Sequence, residues 1–262
     1  MDLKDFRNTV FSYYLANRRS LPWRETTDPY AILVSEIMLQ QTQAERVMPK
    51  YEQFIQVLPN WRTLADCDTA QLLSLWQGLG YNRRALSLRT AAQKVVHSFA
   101  GNLPADYESI LSLPGVGPYT AGAVLAFAFQ QGRSIIETNI RRVFIHHFFK
   151  DKEGVTDREL MPLIEQTLDS ENPREWYYAL MDYGSYLAKQ IPNPNRKSAH
   201  YSKQSKFEGS DRQIRGEVVR RLLEGPKKLK DFEGDPARLA KIVGKLLQEG
   251  FITRNGDVLS VS

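Results

Sequence analysis

Cysteine is nearly missing from this 262-residue chain: there is one, Cys67. A lone thiol forms no internal disulfide and builds no cysteine-ligated metal cluster. Long apolar runs are also missing, and none reaches the roughly 18 residues needed to span a bilayer. The opening stretch MDLKDFRNTVFSYYLANRRS carries acidic residues on a helical pattern. It therefore reads as an amphipathic helix and not as a secretory or transit segment. These absences predict a cytoplasmic protein with no membrane partner. Alternation of the kind that marks strands is absent until the C-terminus, so the bulk of the chain is expected to be helical.

What is present is ordinary in amount and uneven in place. Apolar residues make up 42% and charged residues 25%, as in soluble globular domains. The net charge is +5. From Lys189 to Arg215 seven basic residues face two acidic ones, so this strip accounts for the excess. Such a strip is either a solvated linker or a contact for a polyanion. Helical periodicity is expected over Pro29–Gln43, Ala44–Leu58, Thr69–Gly78, Arg83–Phe99, Asp106–Ser112, Tyr119–Gln130, Asn139–Phe149, Asp157–Leu168 and Pro173–Leu187. Composition then divides the chain into a helical domain 1–188, a basic connecting segment 189–213 and a C-terminal domain 214–262. In the last of these, two helical segments precede ITRNGDVLSVS, whose Asn255-Gly256 is a hairpin signal. Two helices and a hairpin predict a winged-helix-like domain.

LPGVGPYTAGAV, from Leu113 to Val124, joins two of the expected helices. Gly115 and Gly117 permit left-handed backbone and a tight turn. The unpaired N–H groups that open the following helix favour an anion. A nucleotide phosphate loop is excluded, since no Lys-Ser/Thr follows and no strand precedes. Glu36 stands among Ile32, Leu33, Ile37 and Leu39. Buried there, a carboxyl takes a raised pKa and becomes a general acid; on the surface it is an ordinary helical Glu. Glu137 precedes NIRRVF and at the least complements a helix dipole. The His146-His147 pair has no acidic or cysteine neighbour in the sequence and is assigned to surface or packing.

LPGVGPYTAGAV, with LPWRETTDPYAILVSEIMLQQTQ, WQGLGYNRRALSL and IIETNIRRVF, resembles the helix-hairpin-helix DNA glycosylase superfamily, which includes the endonuclease III and MutY types. The motifs run in family order over about residues 5–187 and are most similar to the MutY branch. The resemblance implies a mainly α, two-lobed glycosylase fold acting on double-stranded DNA as a monomer, associated with the nucleoid. The activity it implies is excision of a mispaired base, most similar to adenine excision. Mismatch thymine or uracil excision and catalytically silent DNA binding stand as alternatives.

By the same resemblance, Glu36 would protonate the departing purine and Glu137 would stabilise the sugar cation, with Asn139 orienting that segment. The family has Asp where Glu137 stands. Tyr119 occupies the place of the lysine that forms a Schiff base in bifunctional relatives, which predicts base release without an efficient strand-cutting step. Gln41, Thr42 and Tyr81 would enter the duplex beside a flipped base. Gly115 and Gly117 would meet DNA phosphate, with a monovalent cation held by hairpin carbonyls, and Arg24 would line the base pocket. Relatives ligate an iron–sulfur cluster with cysteines after the helix ending MDYGSYLA; here Ala188 falls at the first of these and no cysteine follows. No cluster and no other metal ligand set is expected. Arg196, Lys197, Lys203 and Lys206 of the basic segment are expected to contact phosphates in its place.

Overall fold

A computed structural model describes residues 2–203 and 206–262. Met1 of the expected N-terminal helix, and Gln204 and Ser205 of the basic segment, lie outside the described residues. The chain opens with α1 (Leu3–Asn17), a 3₁₀ turn (Pro22–Arg24), α2 (Pro29–Leu39), α3 (Ala44–Val57) and α4 (Trp61–Asp66). Next come α5 (Thr69–Trp76), α6 (Arg83–Ser98), α7 (Tyr107–Leu111), α8 (Pro118–Phe129) and α9 (Thr138–Phe148). The helical series ends with α10 (Asp157–Thr167), α11 (Pro173–Gln190) and a 3₁₀ turn (Pro194–Lys197). The C-terminal part holds α12 (Asp211–Leu223), β1 (Lys227–Lys228), α13 (Pro236–Gln248), β2 (Ile252–Asn255) and β3 (Val258–Val261).

Local chemistry sets most of these boundaries. Asp2, Asp68, Asp106, Ser210 and Asp235 each accept a backbone N–H of the first turn that they precede, as N-caps do. Asn60 with Thr63 closes a capping box on α4, a helix with no counterpart in the expected pattern. α2 stops at Leu39, four residues before its expected end, because Gln41 takes a positive φ of 57°. α11 instead runs on to Gln190, so the basic segment begins inside a helix.

Two compact units result. The first comprises Met1–Glu36, Leu103–Ser112 and Val116–Lys203; the second Ile37–Asn102, Leu113–Gly115 and Gln204–Ser262. They interleave along the chain, which composition does not report. The core of the first unit is aromatic: Phe6 packs 5.0 Å from Phe144 and 6.1 Å from Trp176, ring centre to ring centre. His147, half-buried in this cluster, meets the Tyr183 hydroxyl at 3.1 Å, and burial lowers its pKa to about 4. In the second unit Phe54 and Trp76 form an edge-on pair at 6.0 Å, and Leu64, Leu72 and Leu88 are fully buried in the same unit. α12 packs on α5 in the same unit.

The C-terminal sheet is antiparallel in the order β1-β3-β2, with Val218, Leu222, Ile242, Leu246 and Phe251 buried beneath it. Its hairpin turns one residue later than expected. Asn255 pairs with Val258, leaving Gly256 and Asp257 as the two-residue turn, and Gly256 supplies the positive φ of 59°. No helix of the described residues is long and apolar enough to cross a membrane.

Candidate active site

The first unit gathers Glu36, Tyr119 and Glu137. α2 is apolar around most of its circumference, so its one acid cannot escape inward burial: Glu36 is 5% exposed between the fully buried Leu33 and Ile37. Burial pushes its carboxyl up to about 7. A hydrogen bond from the Tyr119 hydroxyl opposes that rise, the Glu137 charge adds to it, and Arg24 opposes it more weakly. Tyr119 itself is held well above its ordinary pKa by burial and by the two carboxylates, so it stays a donor. An acid that is half protonated near neutrality is matched to proton transfer.

Glu137 is the N-cap of α9, in extended backbone at φ −140° and ψ −177°. Its Oε1 accepts the N–H groups of Asn139 (2.7 Å) and Ile140 (2.8 Å), and its Oε2 accepts Asn139 Nδ2 at 3.2 Å. Burial raises its pKa and the two backbone donors oppose this. Glu36 and Glu137 repel as anions, so they titrate as a pair. The first proton belongs to Glu36, because Glu137 has three N–H donors on its charged form.

The cap is itself supported. Arg142 Nη1 donates to Asn139 Oδ1 at 2.7 Å and to the Gly184 carbonyl at 2.8 Å. Gly184 is required there, since a Cβ would lie 2.5 Å from the Asn139 carbonyl oxygen. Asn195 Nδ2, in the turn after α11, donates to the Thr138 carbonyl at 2.9 Å. Sequence reasoning missed Arg142, Gly184 and Asn195. The signal for Gly184 was a glycine inside a long helix, which often marks close backbone approach.

Arg24 does not stand free in a pocket. Its guanidinium makes two 2.8 Å hydrogen bonds to Asp182, with both side chains almost fully buried, and lies 4.3 Å from the Tyr178 ring centre. Asp182 also accepts Arg19 Nε at 2.5 Å. A fork that is bidentate to a carboxylate has little left to give a base. Arg24 braces the wall behind Glu36.

In the second unit two of the three residues expected to enter DNA, Gln41 and Tyr81, share an unusual backbone. Among the described residues only Gln41 (φ 57°), Tyr81 (φ 48°), Ala100 and Gln130 are non-glycine positions with positive φ. Such conformations cost about 1–3 kcal/mol each and persist where surrounding structure imposes them. The imposing group is Arg84, which sequence reasoning also missed. Its Nη1 points at the carbonyls of Ile37, Met38 and Gln40 (2.8, 2.8 and 2.5 Å). Its Nη2 serves Thr42 Oγ1 (3.1 Å), Leu79 O (3.2 Å) and Gly80 O (2.9 Å). One guanidinium thus ties the 37–42 loop to the 79–81 loop, and burial lowers its pKa to about 10. Thr42 is consumed in that tie, its hydroxyl also meeting Leu79 O at 3.3 Å, whereas Gln41 and Tyr81 are exposed.

Of the two hairpin glycines only Gly115 is left-handed, at φ 82°, and a Cβ there would fall 2.9 Å from Ser87 Cβ. Gly117 is an extended N-cap (φ −104°) with no capping side chain and nothing within 4 Å of a Cβ. Neither special dihedrals nor a close neighbour requires glycine there. In the basic segment Arg196, Lys203 and Lys206 are exposed. Lys197 is not equivalent to them: its Nζ donates to the Lys150 carbonyl and lies 3.8 Å from Glu153. The turn carrying it is packed in place, with Asn195 and Ser198 buried and Val155 bonded to both sides of Ser198.

Residues 34–167 match the model of the HhH-GPD superfamily base excision DNA repair proteins. An adenine DNA glycosylase of Buchnera aphidicola subsp. Baizongia pistaciae (strain Bp) is 36% identical over 72% of this chain. The chain spans 55% of that relative's length, about half. An adenine DNA glycosylase of Mycobacterium tuberculosis (strain CDC 1551 / Oshkosh) is 31% identical, over 95% of this chain and 90% of its own. Among solved structures, a thermostable thymine-DNA glycosylase aligns with a TM-score of 0.64 at 28% identity, over 71% of this chain and 87% of that one.

Proposed function

The chain belongs to the HhH-GPD superfamily of base excision DNA repair proteins, and from that premise we propose that it hydrolyses the N-glycosidic bond of a mispaired adenine in duplex DNA. The observation that carries this reading is Glu36, a carboxyl 5% exposed and held near pKa 7 beside a second carboxylate. Its proton goes to N7 of the adenine. The bond from sugar C1′ to N9 breaks, and its electron pair leaves with the purine. The Tyr119 hydroxyl then stabilises the carboxylate left on Glu36. The developing sugar cation is met by the Glu137 carboxylate, as in glycosidases that pair two carboxyl groups, and water completes the hydrolysis at C1′. Asn139 and Arg142 hold Glu137 in place. Residue 119 offers no amine, so the reading is of a monofunctional enzyme.

Gln41, Tyr81 and the hairpin at Gly115 and Gly117 supply duplex contacts in this reading, and the protein acts as a monomer on double-stranded DNA of the nucleoid. A monovalent cation on the hairpin carbonyls belongs to it too; Gly115 O already accepts Gln40 Nε2 at 3.3 Å. The iron–sulfur cluster of relatives does not fit the residues present. Cys67 is buried in the second unit, and the segment after α11 offers a packed Asn195–Ser198 turn without thiols. No step depends on a cluster, and the purified protein is expected to carry neither iron nor sulfide. Single-turnover base release from duplexes holding A·G, A·C, A·8-oxoguanine, G·T and G·U pairs tests the proposal. Adenine release is expected. Thymine or uracil release without adenine, or no release from any duplex, would overturn it.

A further inference from the structure

Tyr81 is 41% exposed and held in strained backbone, yet its hydroxyl is bound from a segment 131 residues away. Arg212, in the first turn of α12, donates from Nη1 to Tyr81 Oη at 2.6 Å, and its guanidinium lies 5.7 Å from the ring centre. Arg84 also lies 5.7 Å from the same ring centre, so two guanidinium groups approach the phenol. The start of α12 is pinned in turn. Arg238 of α13 reaches Asp211 at 2.7 Å and the Gly209 carbonyl at 2.7 Å, and α12 packs on α5. Between α12 and the 77–84 loop lies a groove of about 1510 Å³ whose lining holds seven arginines against three glutamates. Arg215 and Arg220 are paired with Glu249 and Glu217, whereas Arg46 and Arg83 are exposed at its edge.

We propose that Arg212 is a positioning residue for Tyr81, supplied by the C-terminal segment, and that it fixes the phenol in the pose that enters the base stack of DNA. This rests on reading Tyr81 as a duplex-inserting side chain. A hydrogen bond from a charged donor to a hydroxyl orients a ring that backbone strain alone leaves free to turn about its side-chain torsions. The guanidinium adds an attraction to the ring and keeps the site electropositive as it nears phosphate. The C-terminal segment thereby acts in lesion reading through one side chain, while Glu36 and Glu137 perform the chemistry.

The test uses the full chain on an A·G duplex with 2-aminopurine beside the mispair, whose fluorescence reports unstacking. Arg212→Ala is expected to weaken mispair affinity about tenfold, the ratio that one hydrogen bond to a charged group carries. It is also expected to lower the fluorescence change, with the saturated single-turnover rate and the melting temperature nearly unmoved. In Tyr81→Phe, which keeps the ring and loses the hydroxyl, Arg212→Ala should cost far less than it does in the parent, and Arg212→Lys should restore part of the loss. Equal weakening on matched and mispaired duplexes would make Arg212 a phosphate contact and overturn the proposal, as would additive losses in the double variant. If Tyr81→Ala is itself silent in affinity and fluorescence, the reading of Tyr81 falls first and takes the proposal with it. If Tyr81→Ala is damaging and Arg212→Ala silent, only the role of Arg212 falls.

Discussion

The Glu36–Glu137 cluster and the Gln41–Tyr81 loops solve opposite problems. In the first unit two carboxyl groups are withdrawn from water and met by donors, and the segment that caps Glu137 is held by Arg142 and Asn195. In the second, two side chains are pushed into solvent on strained backbone, and a single arginine, Arg84, closes the carbonyls behind them. The chemistry of a leaving base needs a proton held against its normal affinity, which burial supplies. Contact with a duplex needs exposed groups that do not relax when DNA is absent, which imposed backbone strain supplies. Glu36 is therefore sensitive to pH, and Tyr81 to the integrity of its supports.

The largest expected effects break the first cluster. Glu36→Gln removes the proton donor, and adenine release in single turnover should fall about 10²–10⁴-fold. Glu137→Gln should cost about 10²–10³-fold. DNA affinity should hold in both, because neither side chain is on the loops proposed to contact the duplex. Full activity in Glu137→Gln would remove that residue from the mechanism. Glu137→Asp tests the cage: the shorter side chain has to reach the Asn139 and Ile140 N–H groups from about 1 Å further back, and a misplacement of that order can cost ~100-fold. Wild-type activity in that variant would mean that the cage adapts. In the wild type the rate should fall as pH rises through about 7, where Glu36 loses its proton.

Next comes the stability carried by the same residue. Glu36 has an ordinary value of 4.5 and a folded value of about 7. The neutral form is the one that the fold accepts, so its contribution is complete below pH 4.5 and is lost as pH rises to 7. At about 1.4 kcal/mol per pH unit, roughly 3 kcal/mol is at stake. Glu36→Gln should gain on the wild type by that order between pH 4.5 and 8, in denaturant unfolding at each pH. A constant difference across that range would contradict burial of the charge.

The second region breaks at Arg84. Arg84→Ala removes one donor from each of six acceptors and should cost about 2–4 kcal/mol of stability, with mispair affinity lost alongside. A variant that kept both would show that the loops hold themselves. The smallest effect is expected from the basic segment. Replacing Arg196, Lys197, Lys203 and Lys206 together should flatten the salt dependence of DNA binding by up to about 0.9 log units per lost phosphate contact. Lys197→Ala alone should change the slope least, since its ammonium is already held by Lys150 and Glu153.

Much of this protein was determined by sequence alone. Apolar periodicity and capping residues specified nearly all of the helices, and the motif order carried the family. The apolar neighbours of Glu36 offered burial as one of two readings, which the structure decided, and Asn255-Gly256 placed the hairpin to within one residue. α4 escaped notice although its Asn60 cap is a helix-start signal, whereas the shorter α7 was expected. Tertiary structure alone decided which groups support the site. Arg142 meets Asn139 and Gly184, Arg24 meets Asp182, and Arg84 meets two loops, through contacts that no local pattern encodes. The same holds for Arg212 and Tyr81. Periodicity and propensity are written over a few neighbouring residues, whereas a guanidinium can satisfy any carbonyl that folding brings to it. Its partner across 131 residues is fixed only when the helices pack.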